Sequence, residues 1–370
     1  MATESFDIAE MSFRSPLHLG QESDGVETIE KICHSDTLFS AICHSWLRLY
    51  GEDNLGELLA AFWQAGEDDI EPPFCLSSAF PFITIEGKLV YYLPKPEIPP
   101  LNVDYEHPRR AEIDKKLKLL KDIDWITKEF FEAWAAVDKR TSKVEDSLSD
   151  LECHYDSVKA ESESLDECMK TAIRPRVALD AVSRESRIFF FGVLRFMEGS
   201  GLYFLVKWRK ADRVVWENKL KAVVKLLGET GLGGERSSGY GAFKPEWNSL
   251  EMRLPDRPET ANGLITLSLW YPNKNDLTQG IELGQYNLVS RSGWASSPLL
   301  KRAYRRKVVT MFNEGSTVER AGVDPFGATR RRITGRLVNV TPERLIDEGG
   351  YGHRIYRYGF AFTLPALLPS

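Results

Sequence analysis

The order of predicted strands and helices places this 370-residue sequence in the α+β class. Alternating apolar residues open the chain at Ser5–Gly20, and a helical pattern follows at Ser35–Tyr50. A second helical pattern, Val214–Gly228, directly precedes a strand pattern at Tyr240–Trp247. Further strand patterns lie between the two helices, so the order is β-α-β, an insertion, then β-α-β. This is the order of a ferredoxin-like fold.

Local sequence signals delimit the first helix and the strands that follow it. Ser35 is its predicted N-cap, and Gly51 is its predicted end. Its apolar face comprises Leu38, Ile42, Trp46 and Leu49. Further on, Ile83–Ile85 and Leu89–Leu93 flank Glu86-Gly87, a pair of residues typical of a hairpin turn.

Residues 101–172 interrupt this order and are predicted to be an insertion. Within it, Pro108–Val137 has helical periodicity, whereas Asp138–Lys170 is acidic, rich in serine and predicted to be flexible. Two strand patterns, Arg174–Asp180 and Arg187–Phe196, then enclose a polar tip. They predict a β-hairpin that projects from the domain.

A second structural unit is predicted after Pro245–Ala261, which has the prolines of a linker. Strand patterns begin this unit at Leu264–Tyr271 and end it at Tyr356–Leu364. We therefore predict two domains, 1–250 and 251–370, the second a degenerate version of the ferredoxin-like first.

Composition and charge narrow the classes of function. Hydrophobic residues make up 42% of the chain and charged residues 28%, as in ordinary globular proteins. No apolar run approaches a membrane span, and five scattered cysteines predict reduced thiols in the cytoplasm. Residues 1–170 carry 17 Lys and Arg against 35 Asp and Glu, whereas residues 171–370 carry 31 against 19. This segregation favours a polyanionic partner for the basic half over two merely solvated faces.

The most informative stretch is the glycine loop, Gly228–Gly241, which reads GETGLGGERSSGYG and holds six glycines. Arg236 stands where the last glycine of a dinucleotide-binding loop belongs, and the Gly-Lys-Ser/Thr ending of a P-loop is absent. Glycines let a ligand approach the backbone, and Arg236, Ser237 and Ser238 add donors for phosphate oxygens. The loop therefore predicts an anion site; the alternative is a turn that only joins helix to strand.

Candidate catalytic and metal-binding groups are few. His18 could act as general base or acid on an RNA 2′-hydroxyl, or it could hydrogen-bond backbone or RNA without chemistry. Cys43 and His44 fall within the predicted first helix, where neighbouring side chains point about 100° apart. A metal site formed with Cys33 and His34 is therefore not expected.

Basic and aromatic side chains suited to RNA surround these features. Those that flank the predicted hairpin are Lys95, Arg174, Arg176, Arg184 and Arg187. Arg291 belongs to an arginine-rich set in the second half, and arginine suits forked phosphate contacts. Rings available for base stacking, at positions that are more often core, are Phe189–Phe191, Tyr240 and Phe243.

Seven segments in this order resemble a known family. They are FRSPLHLG, SDTLFSAICHSW, YYLPKP, RPRVALD, GLGGERSSGYGAF, SRSGW and HRIYRYGFAF. The sequence is similar to the fourth subunit of the Csm complex, the type III-A CRISPR effector, whose members are repeat-associated mysterious proteins (RAMPs). The likeness spans nearly the whole chain except residues 101–172, which are longer and more acidic than the family pattern.

The resemblance implies two ferredoxin-like, RRM-type domains without catalytic activity or cofactor. It implies that the subunit holds the 5′ repeat-derived handle of the CRISPR RNA and contacts the large polymerase-like subunit and a backbone subunit. The hairpin, about residues 174–191, matches the family's thumb, although the arm lacks a basic residue near Ala181. The predicted RNA contacts are His18, Lys95, Arg174, Arg176, Arg184, Gly231, Gly233, Gly234, Arg236, Ser237, Ser238, Gly239 and Arg291.

Two other classes of function remain open at the level of sequence. One is a metal-independent RAMP endoribonuclease that processes CRISPR RNA with His18 as general base. The other is a protein-only adaptor whose glycine loop docks a partner. Within the first class, the equivalent type III-B subunit is a near neighbour.

Overall fold

The computed structural model describes residues 2–23, 26–98, 111, 118, 123–136, 158, 160–179, 186–255, 261–278, 282–295, 304–319, 333–347 and 354–368. Over these residues the protein is a mixed α/β structure with antiparallel sheets and few helices. None of the described helices is long and apolar enough to cross a membrane.

Eleven strands lie before residue 255. They are β1 Ala2–Phe13, β2 Gly20–Ser23, β3 Val26–Ile29, β4 Phe74–Leu76, β5 Phe80–Ile85, β6 Lys88–Pro94, β7 Trp125–Thr127, β8 Met169–Leu179, β9 Ser186–Phe196, β10 Ser200–Trp208 and β11 Phe243–Leu254. Seven of them form a central antiparallel sheet in the order β11-β1-β10-β5-β6-β7, with β4 also paired to β10. The strand patterns predicted at Ile83–Ile85 and Leu89–Leu93 are confirmed as β5 and β6.

The described helices are α1 Ser35–Asp68, α2 Lys128–Ala136, α3 at residues 160–168, α4 Arg213–Thr230, α5 Lys274–Thr278 and α6 Glu343–Asp347. Both helices of the predicted β-α-β units are confirmed as α1 and α4. The apolar face of α4 is buried throughout: Trp216, Leu220, Val223 and Leu227.

Period-two alternation explains how one sheet carries two cores. On β10, Leu202 and Phe204 point to the face covered by α1 and α4, where the rings of Trp46 and Trp216 lie 5.8 Å apart. The intervening Tyr203 points to the opposite face, which α2 covers. Both faces are therefore buried, which fits the nearly continuous apolar sequence of this strand.

Strands of the second half complete both cores. They are β12 Gly263–Thr266, β13 Glu282–Leu283, β14 Leu288–Arg291, β15 Trp294–Ala295, β16 Tyr304–Arg305, β17 Val309–Phe312, β18 Thr317–Glu319, β19 Gly335–Asn339, β20 Tyr356–Phe360 and β21 Thr363–Ala366. The ring of Tyr358 lies 4.9 Å from that of Phe39 on α1, and Phe362 lies 5.6 Å from Phe6 on β1. The two predicted domains thus share hydrophobic clusters, and their division at residue 250 remains a prediction.

Strands β8 and β9 form the predicted hairpin, paired from Met169 opposite Phe196 to Leu179 opposite Ser186. A single bridge between Leu17 and Leu194 joins its base to the segment after β1. The tip at residues 180–185, with Asp180 and Arg184, lies outside the described residues.

Three predicted boundaries differ from the structure. The N-cap of α1 is His34, because the Ser35 hydroxyl accepts a bond from the Leu269 N–H instead. Gly51 breaks the helical geometry as predicted, but the helix resumes and ends at Asp68. The predicted strand Leu264–Tyr271 ends at Thr266.

The predicted linker at 245–261 is wrong over its first ten residues. These residues belong to β11, which pairs with β1 from Phe13 opposite Phe243 to Ala2 opposite Leu254. Pro245 is accommodated because β11 is the edge strand of the sheet.

The predicted flexibility of Asp138–Lys170 is wrong for its last part. Residues 160–168 are helical, and β8 begins at Met169. Leu165 is 5% exposed and Met169 3% exposed, and both belong to the cluster between the sheet and α1. This end of the insertion is therefore part of the core.

Candidate nucleic-acid interface

Five sequence segments that are far apart along the chain converge on one cavity, which we call the motif cleft. Its volume is about 390 Å³, and it is open to solvent on one side. Its walls come from the segment after β1, the start of α1, the glycine loop, the connection between β14 and β15 around Ser292, and strand β20. Its lining side chains include His18, Asp36, His44, Arg236, Arg291, Trp294, Arg305, Arg306 and Arg357.

A buried carboxylate forms the floor of the motif cleft. The Asp36 side chain accepts from Arg291, with Nε to Oδ2 and Nη2 to Oδ1 both at 3.0 Å. Arg357 donates to the same carboxylate and, at 2.7 Å, to the carbonyl of Ser292. Burial alone would raise the pKa of Asp36, but the two guanidinium groups hold it well below its usual range.

A second buried carboxylate lies behind this floor. The His34 Nδ1 and the Glu314 Oε1 are 2.9 Å apart, and the Ser78 hydroxyl donates to the same oxygen. Glu30 joins the two layers, because its Oε1 lies 3.0 Å from Arg291 Nη1 and 3.6 Å from His34 Nε2. Burial lowers the pKa of His34, but Glu314 outweighs that effect, so the pKa is raised.

The glycine loop closes one side of the motif cleft, and backbone hydrogen bonds hold its shape. N–H groups that donate to protein carbonyls are those of Gly231, Leu232, Gly234, Ser238, Gly239 and Gly241. Gly241 has φ of 75°, and a Cβ there would lie 1.9 Å from the Leu232 carbonyl oxygen. Several loop glycines therefore allow close packing within the protein rather than approach of a ligand.

Arg236 begins a short 3₁₀ turn, Arg236–Ser238, on the exposed side of the loop. Among the described residues its guanidinium forms no ion pair. Burial lowers the pKa of His44, and the positive charges of Arg236 and Arg306 lower it further. The mouth of the motif cleft is therefore electropositive and favours an anion.

His18 faces the loop from the opposite wall. Its Nδ1 lies 2.7 Å from the Gly192 carbonyl, so this nitrogen carries the proton and donates. Its own carbonyl accepts from the Gly234 N–H at 2.9 Å, and its ring meets Phe191 edge-on at 5.3 Å. The arrangement orients the imidazole by backbone and aromatic contacts.

Arg176 connects the hairpin to the glycine loop. It forms an ion pair with Glu235 and donates from Nη2 to the Ser238 hydroxyl at 2.6 Å. Strand alternation places Arg174 and Arg176 on the same face of the hairpin. Hairpin and loop thus form one surface beside the motif cleft.

The other predicted residues fall into three groups. Arg291 lines the motif cleft, but its guanidinium is engaged by Asp36, Glu30 and Thr37. Lys95 follows β6, and its carbonyl packs against Gly315 rather than lining the motif cleft. Phe243 and Phe191 are core residues, 0% and 6% exposed.

Sequence reasoning missed three functional candidates at this site. Asp36, Trp294 and Arg357 carried no predicted RNA contact. Because Asp36 and Arg357 lie 321 residues apart, no local pattern could have paired them. Among the described residues, no group of three or more His, Cys, Asp or Glu is placed to hold a metal ion.

The sequence is also similar to those of known proteins. The family model for the CRISPR Csm4 C-terminal domain matches residues 259–366. CRISPR system Cms protein Csm4 of Thermococcus onnurineus (strain NA1) is 27% identical over 344 residues, covering 92% of this chain and 93% of that protein.

Solved structures share the fold over nearly the whole chain. One comes from a Csm1-Csm4 cassette in complex with pppApA, with 22% identity, a TM-score of 0.57 and 99% coverage of both chains. Another comes from a Csm3-Csm4 subcomplex in the type III-A CRISPR-Cas interference complex, with 18% identity, a TM-score of 0.57 and coverage of 98% and 99%. Fold and matches together define a RAMP-like protein of the CRISPR class. More narrowly, residues 259–366 match the Csm4 family model, and the chain is similar to Csm4 relatives over most of its length.

Proposed function

We propose that this chain is a non-catalytic RNA-binding subunit of a type III-A CRISPR complex that holds the 5′ repeat-derived handle of the CRISPR RNA. The observation that carries the proposal is the convergence of five motif segments on one electropositive cleft. Arg236, Ser237 and Ser238 stand exposed at its mouth, where they can donate to phosphate oxygens.

The same proposal assigns the architecture. The order β11-β1-β10-β5, with α1 and α4 as the two crossover helices, corresponds to a ferredoxin-like unit with an insertion after the β5–β6 hairpin. We assign residues 1–250 to this unit and 251–370 to a degenerate second unit. The hairpin β8–β9 is then the thumb beside the RNA.

The partners we propose are the large polymerase-like subunit and a backbone RAMP subunit, in a cytoplasmic complex for antiviral defence. Relatives of this fold form a Csm1-Csm4 cassette and a Csm3-Csm4 subcomplex, which supports one partner of each kind. No membrane contact is proposed.

A positioning role for His18 fits better than general-base catalysis. Its Nδ1–H donates to the Gly192 carbonyl. In a catalytic triad this N–H donates to a carboxylate, which orients the ring and stabilises its protonated form. Lys95, Arg174, Arg176, Arg184 and the loop glycines remain predicted RNA contacts. Arg291 lines the motif cleft, and we propose that its main role is to hold the Asp36 carboxylate that forms the floor.

The first test is to purify the protein with its neighbouring subunits and sequence the RNA that it carries. We expect RNAs with one common repeat-derived 5′ end. No RNA, or RNA without a common end, would favour the adaptor function instead. Repeat RNA cut by the parent protein, with activity that falls by over about a hundredfold in His18→Ala, would favour the endoribonuclease.

The second test is binding of handle RNA by Arg236→Ala. Loss of a charge-assisted phosphate contact should cost about 1–3 kcal/mol of binding free energy. The matched control is Arg253→Ala, because Arg253 is exposed and lies ten residues along β11 from Phe243, about 30 Å away. Equal affinity of the Arg236 variant and parent in the assembled complex would contradict the role given to the loop.

A further inference from the structure

An exposed tryptophan stands on the wall of the motif cleft. All nine tryptophans of the chain lie among the described residues, and only Trp294 is exposed, at 50% of its surface. It belongs to the two-residue strand β15, opposite Arg305 on β16. The Arg305 guanidinium lies 5.7 Å from the centre of the Trp294 ring. A large ring held at the surface by a paired strand is a preformed platform.

A second basic cavity lies on the other side of this wall. Its volume is about 520 Å³, and it shares Arg305 and Arg306 with the motif cleft. Arg344 lines it and is exposed, whereas Lys307 is paired with Glu343 at 2.9 Å. The two cavities are thus adjoining parts of one basic surface, with Trp294 and Arg305 on the boundary between them.

We propose that single-stranded RNA held in the motif cleft continues over this wall into the second cavity, with one base stacked on Trp294 and a phosphate bound by Arg344. This inference rests on the function proposed above and identifies an extension of its site. Alternating aromatic and basic groups suit single-stranded RNA, because every base has a stacking face and every linkage carries a charge. A protein partner would instead have to place carboxylates against the guanidinium groups of Arg305 and Arg344.

The test measures dissociation constants for synthetic handle RNAs with the full chain in complex with its neighbouring subunits. Loss of one stacked base corresponds to a decrease in affinity of about five- to a hundredfold, which we expect for Trp294→Ala. Trp294→Phe should recover most of the affinity because phenylalanine also stacks. Arg344→Ala should reduce the slope of log affinity against log salt by about 0.7, as for one phosphate contact on a single strand.

A series of RNAs, each abasic at one position, locates the stacked base. The RNA that lacks the stacked base should bind the parent weakly. Its affinity should fall no further with the Trp294→Ala variant, because the base that would stack on the ring is already absent. Parent-like affinity of Trp294→Ala, or an unchanged salt slope in Arg344→Ala, would overturn the inference. If Arg236→Ala binds handle RNA weakly in that same experiment, the proposed handle-binding function stands although this further inference fails. Failure of the parent to bind any handle RNA would overturn both.

Discussion

Asp36 and Arg291 lie 255 residues apart in the sequence and form a two-point ion pair beneath the motif cleft. Arg357 completes the arrangement from strand β20. The first turn of α1 is therefore bound to two separate segments of the second half of the chain. This contact explains physically why the SDT, SRSG and IYR segments occur together in one sequence.

Replacement of Asp36 by alanine should destabilise the protein strongly. The substitution leaves two buried guanidinium groups without their shared carboxylate, at a cost of about 3–5 kcal/mol. Denaturant unfolding measures the change. Glu343→Ala is the control, because its ion pair with Lys307 is exposed and its loss should produce no measurable change. Similar unfolding midpoints for the two variants would contradict the role of Asp36.

Stability should depend on pH through His34. Its pKa is raised in the folded protein, so its contribution is complete below about pH 6.5, the unfolded value, and is lost as pH rises through the folded value. The charged groups that face it are Glu314, Glu30 and Arg291.

The pH test compares parent with His34→Gln between about pH 5 and 9. The free energy of unfolding of the parent should fall relative to that of the variant as pH rises across this range. In the parent, the pKa values of Asp36 and Glu314 are lowered, so neither carboxylate accounts for a fall in stability as pH rises. A pH-independent difference would show that folding does not shift the pKa of His34.

Two glycines of the glycine loop should respond differently to alanine. Both have positive φ, 75° for Gly241 and 82° for Gly239, so both variants incur backbone strain of about 1–2 kcal/mol. At Gly241 the new Cβ also collides with the Leu232 carbonyl, whereas at Gly239 it meets no atom within 4 Å. In thermal unfolding, the melting temperature of Gly241→Ala should therefore be well below that of Gly239→Ala. Equal melting temperatures would mean that the loop can move away from Leu232.

The end of the insertion should matter for stability. Leu165→Ala removes a buried side chain from the cluster beneath α1 and should cost about 2–5 kcal/mol. Glu167→Ala, on an exposed position of the same helix, is the matched control. Deletion of the whole segment 138–170 should then also lower the melting temperature, since it removes Leu165 and Met169. Unchanged stability of Leu165→Ala would show that residues 160–168 are not part of the core.

Much of the first half could be predicted because its signals are local. The periodicity of α4, the Glu86-Gly87 turn and the β8–β9 hairpin each depend on residues close in sequence. The second half was less predictable. Its strands are short, many with two to five residues, and several are fixed by contacts with the first half.

The candidate site was predictable in its parts but not in its assembly. The glycine loop and His18 stand out by residue type, and the structure brings them together. The sequence could not show that Arg291 pairs with Asp36. Arginine binds carboxylates and phosphates with the same forked geometry, so the residue type does not distinguish the two roles. Nor could it show that Trp294 is exposed whereas Trp270 is buried.

The pairing of β1 with both β10 and β11 has a consequence for synthesis of the chain. The first strand leaves the ribosome before both of its neighbours, because the chain from Arg14 to Trp208 must be made before β10 is complete. At roughly 5–20 residues per second, β1 waits on the order of ten to fifty seconds with both edges open. During that interval its alternating apolar residues can pair with other nascent chains. Newly made protein should therefore depend on chaperones at this stage more than the finished sheet does.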